Sequence, residues 1–126
     1  MSTTHENRPR FSPARRVPLG GSGDLLFLSG RLCVDEDARD NIELQTRRIF
    51  ESIARVLVKH GASLSDIVKT TAFLADLADY GGFNRARVDI FMDCKEPPAS
   101  TAIGAGSLLG SGTRVEIEAV AFVPSH

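Results

Sequence analysis

The stretch Arg114-Val-Glu-Ile-Glu-Ala-Val-Ala-Phe-Val123 constrains this chain more than any other, because its strict alternation describes a strand with two unlike faces. Val115, Ile117, Ala119, Ala121 and Val123 form an unbroken apolar face that demands a core. Arg114, Glu116, Glu118, Val120 and Phe122 form the other face, which starts charged and ends apolar, so it runs from a wet region into a dry one. A carboxylate at such a boundary sheds part of its solvent shell, and that is the setting in which a side chain becomes a useful general acid or base. The plainer reading leaves Glu116 and Glu118 as solvated positions on a half-exposed strand.

The chain has 126 residues, enough for one domain around one core. We read residues 1–10 as a flexible polar arm and 11–126 as that single domain. A formal net charge of −1 gives no electrostatic case for a nucleic-acid partner. The apolar runs are too short to span a bilayer and the N-terminus lacks a signal pattern, so the expectation is a cytoplasmic protein with no membrane partner. Cys33 and Cys94 match no metal-binding spacing, and His5, His60 and His126 are scattered. Neither a metal centre nor a histidine-based triad is expected from them.

Pro13 and Pro18 suit an edge strand over Phe11 to Pro18, and Gly20-Gly21-Ser22-Gly23 is a turn. Leu25-Leu-Phe-Leu-Ser29 then reads as a buried strand closed by Gly30, so the chain opens with a hairpin. An acidic loop over Val34 to Arg39 leads to Asp40 and Glu43, spaced as a capping box for a helix. That helix carries Ile42, Ile49, Ile53, Val56 and Leu57 as its apolar stripe and stops at Gly61. Ile67 to Leu74 is a strand with Ile67, Lys69, Thr71 and Phe73 on one face and Val68, Thr70, Ala72 and Leu74 on the other. A second helix spans roughly Tyr80 to Met92, and Pro97-Pro98 force an extended start to Ala99–Ile103. The order is β-β-α-β-α-β-β, an α+β domain with two helices on one face of an antiparallel or mixed sheet. The other face of that sheet still needs cover, which implies an oligomer in which bare faces meet.

Several runs in this order resemble the RidA family, the reactive-intermediate imine deaminases. Leu25-Leu-Phe-Leu-Ser-Gly30 is similar to its strand ending in Ser-Gly. Gln45-Thr46-Arg47 with Ile49 and Ile53, then Gly61 to Leu74, follow its central helix and strand. Ala78-Asp79-Tyr80 to Asn84, Pro97-Pro98-Ala99-Ser100-Thr101 and Val115-Glu116-Ile117-Glu118-Ala119-Val120 complete the set. The resemblance covers about Leu25 to Phe122. It implies a chorismate-mutase-like fold and a homotrimer whose sheets form a central barrel, with small-molecule sites between subunits. It also implies cofactor-free, metal-free hydrolysis of reactive enamines or imines to a 2-keto acid and ammonia.

Carried over residue by residue, the resemblance makes Glu116 the group that positions the attacking water. It makes Ser29 and Gly30 the pocket lining, with Asn84 at its edge. The arginine that binds the substrate carboxylate in the family is absent: Ser100, followed by Thr101, stands where it belongs. The tyrosine expected in the N-terminal edge strand is missing too, since Tyr80 is the only tyrosine. Arg31 stands where many members carry glutamine. Losing a bidentate arginine–carboxylate contact costs about 2–5 kcal/mol, more than a hydroxyl restores. Arg31 or Arg114 could return a cation from another direction, so the substrate-binding set to be located is Ser29, Gly30, Arg31, Asn84, Ser100 and Thr101. Two functions follow: a deaminase or hydrolase of small imines or related carbonyl compounds using Glu116, or a non-catalytic trimeric binder that kept the cleft and lost the chemistry.

Overall fold

A computed structural model describes residues 10–125, so the arm read over 1–10 lies, except for Arg10, outside the described residues. Strand β1 (Ala14–Pro18) runs antiparallel to β2 (Gly23–Arg31). The turn between them places Gly20 and Gly21 at φ 75° and 64°, left-handed values at which two consecutive side chains would be strained. Helix α1 (Ile42–Lys59), strand β3 (Ile67–Leu74), helix α2 (Tyr80–Ile90), strand β4 (Ala99–Gly104) and strand β5 (Val115–Pro124) follow. The sheet order is β1-β2-β5-β3-β4, so the strand with the clearest alternation is the middle of the sheet.

That topology dictates where the helices lie. β5 is antiparallel to both β2 and β3, so β2 and β3 run the same way, joined by α1; β3 and β4 are parallel, joined by α2. Both connections cross the sheet in the same direction. Given one handedness for such crossovers, both helices must land on the same face. The core forms there: Leu26, Leu28, Ala72, Leu74 and the whole Val115/Ile117/Ala119/Ala121/Val123 face are buried against Ile49, Phe50, Ile53, Leu57 and Phe83. The rings of Phe50 and Phe91 meet edge to face at a centroid distance of 5.2 Å, which ties the end of α2 to α1.

Three local details depart from the alternation and capping rules. The N-cap of α1 is Asn41, whose side chain accepts from the Leu44 N–H, rather than Asp40. Asp40 instead occupies a left-handed conformation (φ 58°) with its N–H on the Gly112 carbonyl, and Glu43 turns outward to Arg85. In β3 a register shift between Ile67 and Lys69 moves Ile67 to the helix side with Thr70, Ala72 and Leu74, leaving Val68 exposed. β2 does not stop at Gly30; it continues through a bulge to Arg31. The end of α1 is as expected. Gly61 (φ 78°) donates to Val58 and Ala62 to Leu57, a Schellman closure that satisfies two last-turn carbonyls.

Candidate functional site

The bulge in β2 shapes one candidate region. Leu28 pairs with Ala119 and Arg31 with Ile117, so three steps along β2 match two along β5 and one extra residue is accommodated at Ser29-Gly30. Bulges of this kind re-aim side chains near sites. Here Gly30 comes so close to the Glu116 side chain that any Cβ would collide with the carboxylate. Only glycine leaves room for a carboxylate lying over the strand backbone. Glu116 is half-buried, and its side chain makes no hydrogen bond or ion pair to a described residue. Ser29 is already engaged: its hydroxyl donates to the Ser12 carbonyl at 2.7 Å, and its N–H donates to the Pro13 carbonyl at 3.0 Å. Phe11, Pro13, Ser29, Gly30, Arg31 and Leu32 line a depression of about 290 Å³ above the bulge.

The same bulge settles where Arg31 points. Pairing with Ile117 turns it to the helix side, where Nη1 donates to the Ser52 hydroxyl of α1 at 2.8 Å, while Nε is buried without a partner among the described residues. It thus lies on the opposite face from Glu116. Arg114 is occupied differently. Its Nε and Nη2 lie 2.8 and 2.6 Å from Asp79 Oδ2, at the start of α2, so its charge is cancelled. Its backbone N–H donates to Gln45 Oε1, and the fully buried Gln45 also donates to the carbonyls of Ala38 and Gly112. Neither arginine supplies a free cation beside Glu116.

A different arginine gathers the remaining candidates. Arg87, on α2, donates from Nη1 to Ser100 Oγ at 2.7 Å, and from Nη2 to Asn84 Oδ1 at 2.6 Å and to the Tyr80 hydroxyl at 2.8 Å. Its guanidinium carbon lies 4.9 Å from the centre of the Phe83 ring and 5.6 Å from that of Tyr80. Asn84, Arg87, Val88, Phe91, Met92, Pro97, Pro98 and Ser100 surround a groove of about 550 Å³. The sequence reading missed Arg87, although a helical projection carries the signal: Tyr80, Asn84 and Arg87 are spaced four and three residues apart on one face. Thr101 points to the other side of β4, where its hydroxyl accepts from Lys69 Nζ at 2.6 Å.

Within one chain the candidates therefore fall into two groups. Ser29, Gly30 and Glu116 meet at the β2–β5 bulge; Asn84, Arg87 and Ser100 meet at the β4 edge, with β3 between β5 and β4. The sheet face without helices carries Leu25, Phe27, Val120, Phe122 and Phe73 beside Glu116 and Glu118, and Phe27 is 44% exposed. A hollow of about 260 Å³ on this face is lined by Arg15, Phe27, Lys69, Thr71, Glu118 and Val120, among others. Cys33 and Cys94 are both free thiols, and burial pushes the Cys33 pKa up, away from reactivity. Among the described residues no cluster of three or more His, Cys, Asp or Glu side chains is placed to hold a metal ion.

A family model described as Endoribonuclease L-PSP matches residues 6–123, nearly the whole chain. The chain belongs to this family, that of the RidA proteins. A RutC family protein of Pyrococcus abyssi is 35% identical over 104 residues, covering 79% of this chain and 80% of the relative. Protein mmf2 of Schizosaccharomyces pombe, described as mitochondrial, is 36% identical over 104 residues, covering 79% and 81%. Among solved structures, RidA from an Antarctic Psychrobacter superposes with a TM-score of 0.77 at 28% identity, over 91% of this chain and 89% of that one. RidA membership and the two-helix, five-strand α+β fold thus agree. With a mitochondrial protein among the relatives, membership assigns no compartment. No helix among the described residues is long and apolar enough to cross a membrane.

Proposed function

We propose that this RidA-family protein is a cofactor-free hydrolase of small reactive imines or enamines, or of closely related carbonyl metabolites, with Glu116 activating the attacking water. Family membership supports a small-molecule-processing role. The observation that carries the finer reading is the Glu116 carboxylate lying over Gly30, without an ion pair to a described residue. Such a group is free to order a water and take its proton while the oxygen adds to the imine carbon. The nitrogen then leaves as ammonia and the carbonyl compound remains, so the reaction consumes one water and needs no redox partner.

The bare sheet face supports a homotrimer, since Phe27, Leu25, Val120 and Phe122 would otherwise be left half in water. Assembly would set the bulge of one protomer near the β4 edge of the next and unite the two groups of candidates. A non-catalytic trimeric binder is the second reading, favoured by Ser100 in the place of an arginine. Light scattering tests the trimer, a monomer at micromolar concentration being the adverse result.

The enzyme reading is tested with imines generated in situ from amino acids by an amino-acid oxidase, following keto-acid and ammonia release. Wild type should accelerate release over buffer. Glu116→Gln should lose about 10²-fold or more, in line with removal of a general base. Gly30→Ala should also lose activity while keeping the fold, because its Cβ displaces the carboxylate. Equal rates for wild type, Glu116→Gln and buffer would leave the binder.

A further inference from the structure

We infer that the groove between α2 and β4 binds a small organic monocarboxylate with a short apolar body, and that Arg87 is the cation that receives the carboxylate. The inference rests on the small-molecule reading above but not on Glu116 acting as a base.

The charge of Arg87 is the first observation. Arg16, Arg39, Arg47, Arg48, Arg85 and Arg114 each have a carboxylate oxygen within 4.0 Å. Arg87 has three hydrogen bonds and two aromatic rings around it, yet all its acceptors are neutral oxygens. A strap between α2 and β4 would need no charge for that purpose. Partly desolvating a guanidinium against rings and neutral oxygens is costly, and an anion repays it best.

The donor chemistry is the second. Three of the five guanidinium N–H groups are used, leaving two. The hydroxyls of Ser100 and Tyr80 accept from Arg87, so each keeps its own proton to give away. Asn84 accepts through Oδ1 and retains its NH₂. Arg87 thereby orients a set of donors with no competing carboxylate in it.

The walls are the third. Val88, Phe91, Met92, Pro97 and Pro98 complete the lining, and about 550 Å³ is a volume suited to a small metabolite. One cation with apolar walls matches a monocarboxylate carrying a short aliphatic chain; a phosphate dianion would stay undercompensated. Ser100, which cannot reach a carboxylate as an arginine would, acts here as both the anchor that fixes Arg87 and a donor beside it.

The test is binding of 2-oxobutanoate and of its neutral amide, 2-oxobutanamide, to the full-length protein, by ligand-observed NMR and calorimetry. Wild type should bind 2-oxobutanoate saturably and at least about tenfold more tightly than the amide. Arg87→Gln should weaken the carboxylate about tenfold or more and leave the amide unchanged. Ser100→Ala, which removes only a hydroxyl, should weaken the carboxylate about threefold and decides the matter if Arg87→Gln does not fold. Equal affinity for acid and amide, or wild-type affinity in the folded variants, would overturn the assignment. Binding read beside turnover separates the two proposals. Imine hydrolysis that depends on Glu116, with 2-oxobutanoate bound equally by wild type and Arg87→Gln, would overturn this one and leave the Glu116 reading standing. Normal binding by wild type without imine hydrolysis would sink the Glu116 reading and leave this one standing.

Discussion

Two arginines, Arg87 on α2 and Arg114 at its start, are held in opposite ways. Arg114 meets Asp79 at the start of the helix, with side-chain exposures of 31% and 18%, and its charge ends in a local pair. Arg87, two turns along, meets Tyr80, Asn84 and Ser100 and keeps its charge. The first corner is built inward: Gln45, fully buried, binds the Arg114 N–H and the carbonyls of Ala38 and Gly112, and so pins the loop entering β5. The second is built around a groove. Arg114 is neutralised by the chain and closes a corner; Arg87, held by neutral atoms at the wall of a groove, is left to receive charge from outside.

The comparison is broken most forcefully at Gln45. Gln45→Leu leaves the Arg114 N–H without its acceptor, at about 1–3 kcal/mol, and takes one of two donors from the Ala38 and Gly112 carbonyls, which keep the Asn41 and Asp40 N–H groups. We expect a loss of about 2–3 kcal/mol, read as a melting temperature lower by roughly 6–12 °C. A loss under about 1 kcal/mol would mean that the loop re-pairs elsewhere and the corner is not the brace described here.

Next in size is the exchange between the two arginines. Arg114→Gln leaves Asp79 charged and without its partner, at a cost of about 1–2 kcal/mol given its partial exposure, and should leave 2-oxobutanoate affinity within about twofold of wild type. Arg87→Gln should cost less than about 1 kcal/mol, because a neutral donor still serves neutral acceptors. Denaturant melts beside the binding titrations distinguish them: one variant loses stability, the other ligand. If both variants lose the same property, the two corners are not different in kind.

Much of this fold is legible in the chain because it depends on local patterns. The alternation of Val115 to Val123 marks a strand buried on one side, and the Pro97-Pro98 break and the Gly61 stop follow from backbone sterics. The misread points are those where a distant group wins. Asp40 has the chemistry of a cap, but the Gly112 carbonyl claims its N–H and passes the role to Asn41. Ile67 belongs to the core although strict alternation puts it outside, because a bulge costs less than leaving that side chain in water. The site divides in the same way. Glu116 beside Gly30 is legible from the resemblance, whereas the sequence points to Arg31, on β2, and Arg114, just before β5, for the substitute cation. One is turned away by a bulge and the other is paired with a residue 35 positions distant. Ser100 directs attention to its own position, but the group that answers its change of character sits 13 residues earlier, on a helix.

The comparison also has an exposed limit, which gives the smallest effect. Arg48 reaches Asp35 at 3.0 Å and holds Asp37 through two contacts at 2.6 and 2.7 Å, all on the surface. The hydrogen bonds from Arg48 lower the Asp37 pKa below its ordinary 3.8 and raise that of Arg48, which stays charged throughout the usable range. Because the folded-state value of Asp37 is the lower one, the unfolded chain binds more protons as the solution is acidified. The pair's contribution is fully present above the ordinary pKa and disappears as pH falls through the depressed one. Arg48→Gln should therefore melt slightly below wild type at pH 7, with the gap closing towards pH 3 and shrinking in high salt. Binding of 2-oxobutanoate should not change. A gap that stays constant from pH 7 to pH 3 would show that Arg48 acts through its packed stem on α1, not its charge. The contrast with Arg87 would then rest on where each guanidinium is held, not on whether a carboxylate meets it.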